Sequence, residues 1–264
     1  MKHVFVLILV LISLAASGQD WAKAKLKDSP RHQEWVELKN GDRTVKAFVV
    51  YPEVKEKAPV VVLIHEIMGL TDWAMLMADQ LAEAGAIVVA PDFLSGMAPG
   101  GGRTSDFEDV GKAREAISGL KPDQITGDLN AACDFGLKIP AGNGKVLVGG
   151  FCWGGTQTFR YATNRTDLTA AFVFYGSGPT DPESLKRINC PVYGFYGGND
   201  NRINATIPES EKLMKDAGKM YEPVIYAGAG HGFMRAGDMP DASTDNKKGR
   251  EDGFKRLIGL ILKS

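Results

Sequence analysis

Residues 146–162 read VLVGGFCWGGTQTFRYA. An apolar run ends in paired glycines, a lone cysteine stands between them and a second glycine pair, and a helix-like pattern follows. Gly150-Phe151-Cys152-Trp153-Gly154 matches G-x-nucleophile-x-G, with cysteine where serine is commoner. The spacing has a steric cause. The nucleophile occupies a strained strand-to-helix turn, where a side chain at either flanking glycine would collide with neighbouring backbone. A helix that starts here points its N-terminus at sulfur, which favours thiolate. The dinucleotide fingerprint G-x-G-x-x-G fails, because Cys152 stands where its second glycine is required. Close packing of a helix on a strand by small residues is the other alternative.

Working outward, continuous apolar runs recur at 60–64, 86–90, 146–150, 170–175, 192–196 and 223–227. Strands buried on both faces have this composition. Helix-period stretches lie between them, at 71–84, 108–118, 124–138, 155–163, 208–218 and 244–263. The alternation predicts an α/β fold with a mostly parallel central sheet and helices on both faces. EWVEL (34–38) and RTVKAFVVY (43–51) alternate about the turn KNGD, which predicts an N-terminal antiparallel hairpin. Residues 20–31 read as a loose polar lead-in. SGMAPGGGRTSDF (95–107) reads as a mobile loop over a site. A phosphate cradle is not expected there, because no Lys-Ser or Lys-Thr follows the glycines and no strand feeds directly into them.

Polar residues stand just past the ends of the buried runs: His65-Glu66, Asp92, Cys152, Asp200 and His231. In an open parallel sheet, ligands bind outside the carboxyl ends of the strands, so groups distant in sequence would meet along one edge. A free thiol ionises only near pH ~8.5 and needs a base. His231, in YAGAGHGFMR, is presented by glycines after the last strand; Asp200, in YGGND, follows a strand and a Gly-Gly turn. Cys152, Asp200 and His231 thus follow the chain order nucleophile, acid, histidine. The acid would hold the imidazole tautomer and stabilise imidazolium. Glu66 is a carboxylate able to take the thiol proton. The backbone N–H groups of Ile67 and Trp153 would form the oxyanion hole. A zinc reading of His65-Glu66 wants a second histidine where Gly69 stands, so no metal is expected.

Composition narrows the class. Lys plus Arg number 31 against 32 for Asp plus Glu, which gives no basic patch for nucleic acid or an anionic membrane. The chain starts with Lys2 and His3, an apolar run from Val4 to Leu14, and the small residues Ala15 to Gly18. This pattern predicts a signal peptide over residues 1–18, cleaved before Gln19, with no stable membrane insertion afterwards. Export to the periplasm or beyond follows, with residues 19–264 as a single domain and a monomer. Cys133, Cys152 and Cys190 allow at most one disulfide. Cys133 and Cys190 read as small core residues, and whether they pair stays open.

HEIMGL, VVAPDFLSG, GFCWGG, YGGND and GAGHGF, in that order, resemble the dienelactone hydrolase family of α/β-hydrolases over roughly residues 30–262. The resemblance implies the α/β-hydrolase fold, a Cys152–His231–Asp200 triad and no cofactor. It also implies that Glu66 contacts the resting thiol and helps generate thiolate when substrate arrives. Members of this type open the lactone ring of carboxymethylenebutenolides, and many relatives act on other esters. Well-known members clamp the substrate carboxylate with two arginines. Arg235 matches one position; Gly96 stands at the other, so Arg103 from the glycine-rich loop is the expected substitute. The function expected is acyl transfer from a small ester or lactone to Cys152. The alternatives are an exported esterase for larger acylated compounds and a non-catalytic, redox-sensitive binding protein.

Overall fold

The run at 58–64 does not alternate because both of its faces are buried. Val60, Val62 and Ile64 enter one core cluster, while Val61 and Leu63 enter the other. This is the two-residue period of a strand sandwiched between helices. The computed structural model describes residues 19–264; the expected signal peptide lies outside the described residues.

Among the described residues, eight strands form one sheet: β1 (Gln33–Asn40), β2 (Arg43–Val50), β3 (Ala58–Ile64), β4 (Ile87–Pro91), β5 (Gly142–Phe151), β6 (Ala170–Phe174), β7 (Val192–Gly197) and β8 (Tyr221–Tyr226). Their order is β1-β2-β4-β3-β5-β6-β7-β8. β1 pairs with β2, and β2 with β4, antiparallel; every pair from β4 through β8 is parallel. The hairpin and the mostly parallel sheet therefore match the expected architecture.

The helices are α1 (Asp20–Lys27), α2 (Asp72–Glu83), α3 (Val110–Ser118), α4 (Pro122–Lys138), α5 (Trp153–Ala162), α6 (Pro182–Leu185), α7 (Asn201–Asn204), α8 (Ile207–Asp216), α9 (Phe233–Ala236) and α10 (Thr244–Ile261). α3, α4, α5 and α8 give Ile117, Leu129, Phe159 and Met214 to one core cluster. α2 and α10 give Trp73, Leu81 and Leu257 to the cluster on the opposite face. Cys133 and Cys190 are buried free thiols, each pushed up to about 11 by burial.

Two segments depart from expectation. Residues 20–27 are helical rather than loose. α1 has a single fully buried residue, Ala22, with Trp21 and Leu26 packed against the same core cluster. Tertiary contacts hold this end of the chain. Gln19 Oε1 accepts from the Trp73 amide at 2.8 Å, and Arg31 makes a two-pronged bond to buried Asp79 at 3.0 and 2.5 Å.

The glycine-rich stretch is not a free loop. Short helical turns form at Pro99–Gly101 and Thr104–Asp106. Thr104 donates to Asp92 through its amide at 2.9 Å and its hydroxyl at 2.7 Å. Asp92, fully buried, thus anchors this segment.

Candidate active site

β5 ends at Phe151 and α5 begins at Trp153, leaving Cys152 as the only residue of the turn. Its backbone takes φ 56°, ψ −113°. A side chain in that region costs about 1–3 kcal/mol and persists only where the surroundings enforce it. The glycines are the enforcement. A Cβ on Gly150 would lie 2.4 Å from the Gly154 carbonyl oxygen, and one on Gly154 would lie 2.4 Å from that of His65. Gly155 is equally constrained, with the Phe174 carbonyl oxygen at 2.3 Å. α5 therefore sits closer to β3, β5 and β6 than any side-chain-bearing residue at these positions allows.

Cys152 Sγ lies 3.1 Å from His231 Nε2. His231 Nδ1–H donates to Asp200 Oδ2 at 2.5 Å. Asp200 caps α7 with its other oxygen, which accepts from the Ile203 amide at 3.4 Å, so the turn that serves its own backbone also fixes the carboxylate. The acid is buried, while the imidazole stays a third exposed. The sheet edge thus brings together the three groups from past β5, β7 and β8, in a continuous hydrogen-bonded chain.

The bond to sulfur, aided by the bond to Asp200, lifts the imidazole from its ordinary 6.5 to about 9 against the opposing effect of burial. In its charged form the ring donates from both nitrogens. A histidine raised on folding stabilises the fold fully below its unfolded value, and that contribution disappears as pH rises through the folded one. The window here runs from about 6.5 to about 9. Urea unfolding of wild type should therefore weaken over that range more than unfolding of His231→Gln. Parallel stability curves for the two proteins would contradict the assignment.

Glu66 does not hydrogen-bond sulfur. Its buried carboxylate accepts from Arg235 Nε at 2.7 Å, so two residues expected at different tasks meet each other. Burial pushes the Glu66 carboxyl up, opposed chiefly by the Arg235 charge. A buried carboxylate without such a cation would be strongly unfavourable. Next door, His65 is wholly buried, stacks on Trp153, and donates from Nδ1 to the Glu66 carbonyl at 2.8 Å. Burial holds its value down, which favours the neutral ring. Its place at a strand end is structural.

Cys152 and His231 open onto a cavity of about 250 Å³ whose wall includes Ile67 and Trp153. Neither the Ile67 nor the Trp153 N–H donates a backbone hydrogen bond among the described residues. Trp153 opens α5, where amides have no partner within the helix. Arg103 is absent from this wall. Its guanidinium lies 3.9 Å from the centre of the Trp35 ring, on the hairpin side of the sheet. Its neighbour Thr104 is bonded to Asp92.

The cavity also has walls that the sequence reading passed over: Thr156, Tyr175, Ser177 and Arg202. Tyr175 follows β6 with φ 40° and packs edge-on against the His231 ring at 5.1 Å. Its position one residue past a buried strand was the available signal. Arg202 lies two residues beyond Asp200, in the first turn of α7, and carried no pattern of its own.

Several known proteins are similar to this chain. A protein of Salmonella typhimurium named "Putative carboxymethylenebutenolidase" is 29% identical over 224 residues, which cover 80% of each chain. Its namesake in Escherichia coli K12 is 28% identical over 211 residues, 76% of this chain and 75% of that one. The solved "Putative Dienelactone Hydrolase" of Klebsiella pneumoniae shares the fold, with TM-score 0.76 at 22% identity, covering 89% of this chain and 99% of that one. A "Dienelactone Hydrolase-like Promiscuous" phosphotriesterase from metagenomic libraries superposes with TM-score 0.73 at 22% identity, covering 88% and 98%. The model of the dienelactone hydrolase family matches residues 45–263, a span holding the sulfur, imidazole and carboxylate and both flanking amides, and the chain belongs to that family.

Proposed function

We propose that the chain hydrolyses small carboxylic esters or lactones by acyl transfer to Cys152. The observation that carries this reading is the continuous bonding of sulfur to imidazole at 3.1 Å and imidazole to buried carboxylate at 2.5 Å. The Cys152 thiolate attacks the carbonyl carbon, and the carbonyl electron pair moves onto oxygen. The Ile67 and Trp153 amides face that oxyanion. Collapse of the intermediate expels the alcohol oxygen, which takes the Nε2 proton of the His231 imidazolium. The neutral imidazole then removes a proton from water, whose oxygen attacks the thioester carbon. Sulfur leaves as thiolate and the imidazolium is restored, with the acid as product. Asp200 keeps Nδ1 protonated throughout. Glu66, with its carboxyl pushed up by burial, is positioned by Arg235 as the acceptor for the resting thiol proton once a ligand disturbs that pair.

A cavity of about 250 Å³ favours small substrates over acylated saccharides or polymer fragments. The relatives named carboxymethylenebutenolidase support a lactone among them. Residues 1–18 act as a cleaved export signal, so the enzyme works as the single domain 19–264 outside the cytoplasm. Wild-type protein should release p-nitrophenol from p-nitrophenyl acetate continuously over many turnovers. No release above the buffer rate, from that ester or from a small enol lactone, would end the reading.

A further inference from the structure

We propose that Arg202 sets the substrate preference of the cleft, selecting an ester or lactone that carries a carboxylate on the side facing β7. The proposal rests on the acyl-transfer reading of Cys152. The other cations bonded to site residues are engaged, and Arg114, which acts on Glu66 from a distance, does not line the cavity. Arg235 is bonded to Glu66, and His231 uses its two nitrogens on sulfur and Asp200. Arg103 lies over Trp35, outside the cavity. Arg202 is exposed, lines the same cavity as Cys152, and its guanidinium makes no hydrogen bond or ion pair among the described residues.

Sheet order gives the direction. Glu66 follows β3 and Arg202 follows β7, on opposite flanks of β5, which carries Cys152. On the side facing Glu66 the arginine in contact is paired, and the unpaired guanidinium that lines the cavity lies on the side facing β7. Thr156 and Ser177 line the cavity with Arg202. Thr156 Oγ1 accepts from the Ser177 amide at 3.1 Å, and the two hydroxyl oxygens lie 3.4 Å apart. A guanidinium and two hydroxyls lining one cavity are donors that a planar carboxylate accepts from, and the guanidinium fork suits two parallel bonds.

The test compares mono-p-nitrophenyl succinate with p-nitrophenyl butyrate, which differ chiefly by the terminal acid. Arg202→Gln should lower the ratio of kcat/KM for the acid-bearing ester to that for the neutral one by about tenfold, and Arg202→Lys should recover part of it. A second readout needs no hydrolysis. The rate of Cys152 alkylation by iodoacetate relative to iodoacetamide, followed on the Cys152 peptide, should fall about fivefold or more in Arg202→Gln, since only iodoacetate is anionic. Unchanged ratios in both assays would overturn the role of Arg202 and leave hydrolysis standing. A falling alkylation ratio in a protein that cleaves neither ester would support Arg202 while defeating the hydrolase reading.

Discussion

Cys152→Ala should lower kcat/KM for p-nitrophenyl acetate by at least about 10³-fold, leaving only what the oxyanion amides and substrate binding supply. The size follows from what the sulfur does. It is the atom that forms the bond to the acyl carbon, so no remaining group can share its task. The substitution keeps a small residue at φ 56°, and the turn should survive. Unchanged thermal unfolding alongside the lost rate would separate chemistry from folding. A variant with the wild-type rate would remove Cys152 from the mechanism. Neither remaining thiol offers a substitute, because Cys133 and Cys190 are buried in the core.

Gly154→Ala should destabilise the fold by about 3 kcal/mol and abolish activity together. The added methyl carbon would stand 2.4 Å from the His65 carbonyl oxygen and 2.5 Å from that of Ile64. Both are backbone atoms at the end of β3, which is paired on each side, so neither can retreat. Helix propensity alone predicts the opposite sign, a gain of about 0.5–1 kcal/mol for Gly→Ala. Gly259→Ala supplies the contrast: its Cβ meets nothing within 4 Å, at a half-buried position of α10. Urea unfolding of both variants checks the pair. Equal stability changes would show that the close approach of α5 to β3 is not what these glycines serve.

The sheet was legible because burial on both faces writes itself as uninterrupted apolar runs. β3, β4 and β6 are buried along their whole length, and each corresponds to such a run. The meeting of Cys152, Asp200 and His231 was legible for a related reason, since each sits just past a parallel strand and parallel strands end on one edge. What failed to show was long-range pairing. Nothing in the spacing of Glu66 and Arg235 announces their ion pair, which depends on how α9 returns across the cleft after β8. Asp92 looked like a member of the site but serves as the anchor of the 95–107 segment, because its partners are the amide and hydroxyl of Thr104. Arg103, the neighbour of Thr104, lies over Trp35. α1 stayed hidden because its apolar residues, Trp21, Ala22 and Leu26, stand among lysines in a run of eight residues, too short for a helical period to stand out. Arg202 was invisible because an exposed arginine in a polar turn has no periodic signature.

The central claim is that carbon bonds to sulfur during turnover, and it can be read by mass. Wild-type protein mixed with saturating p-nitrophenyl acetate, quenched in acid within the first turnovers and digested, should carry an acetyl group on the peptide containing Cys152. That label should be absent from Cys152→Ala. Turnover that proceeds with the acetyl on another residue, or at the wild-type rate without Cys152, would contradict the account.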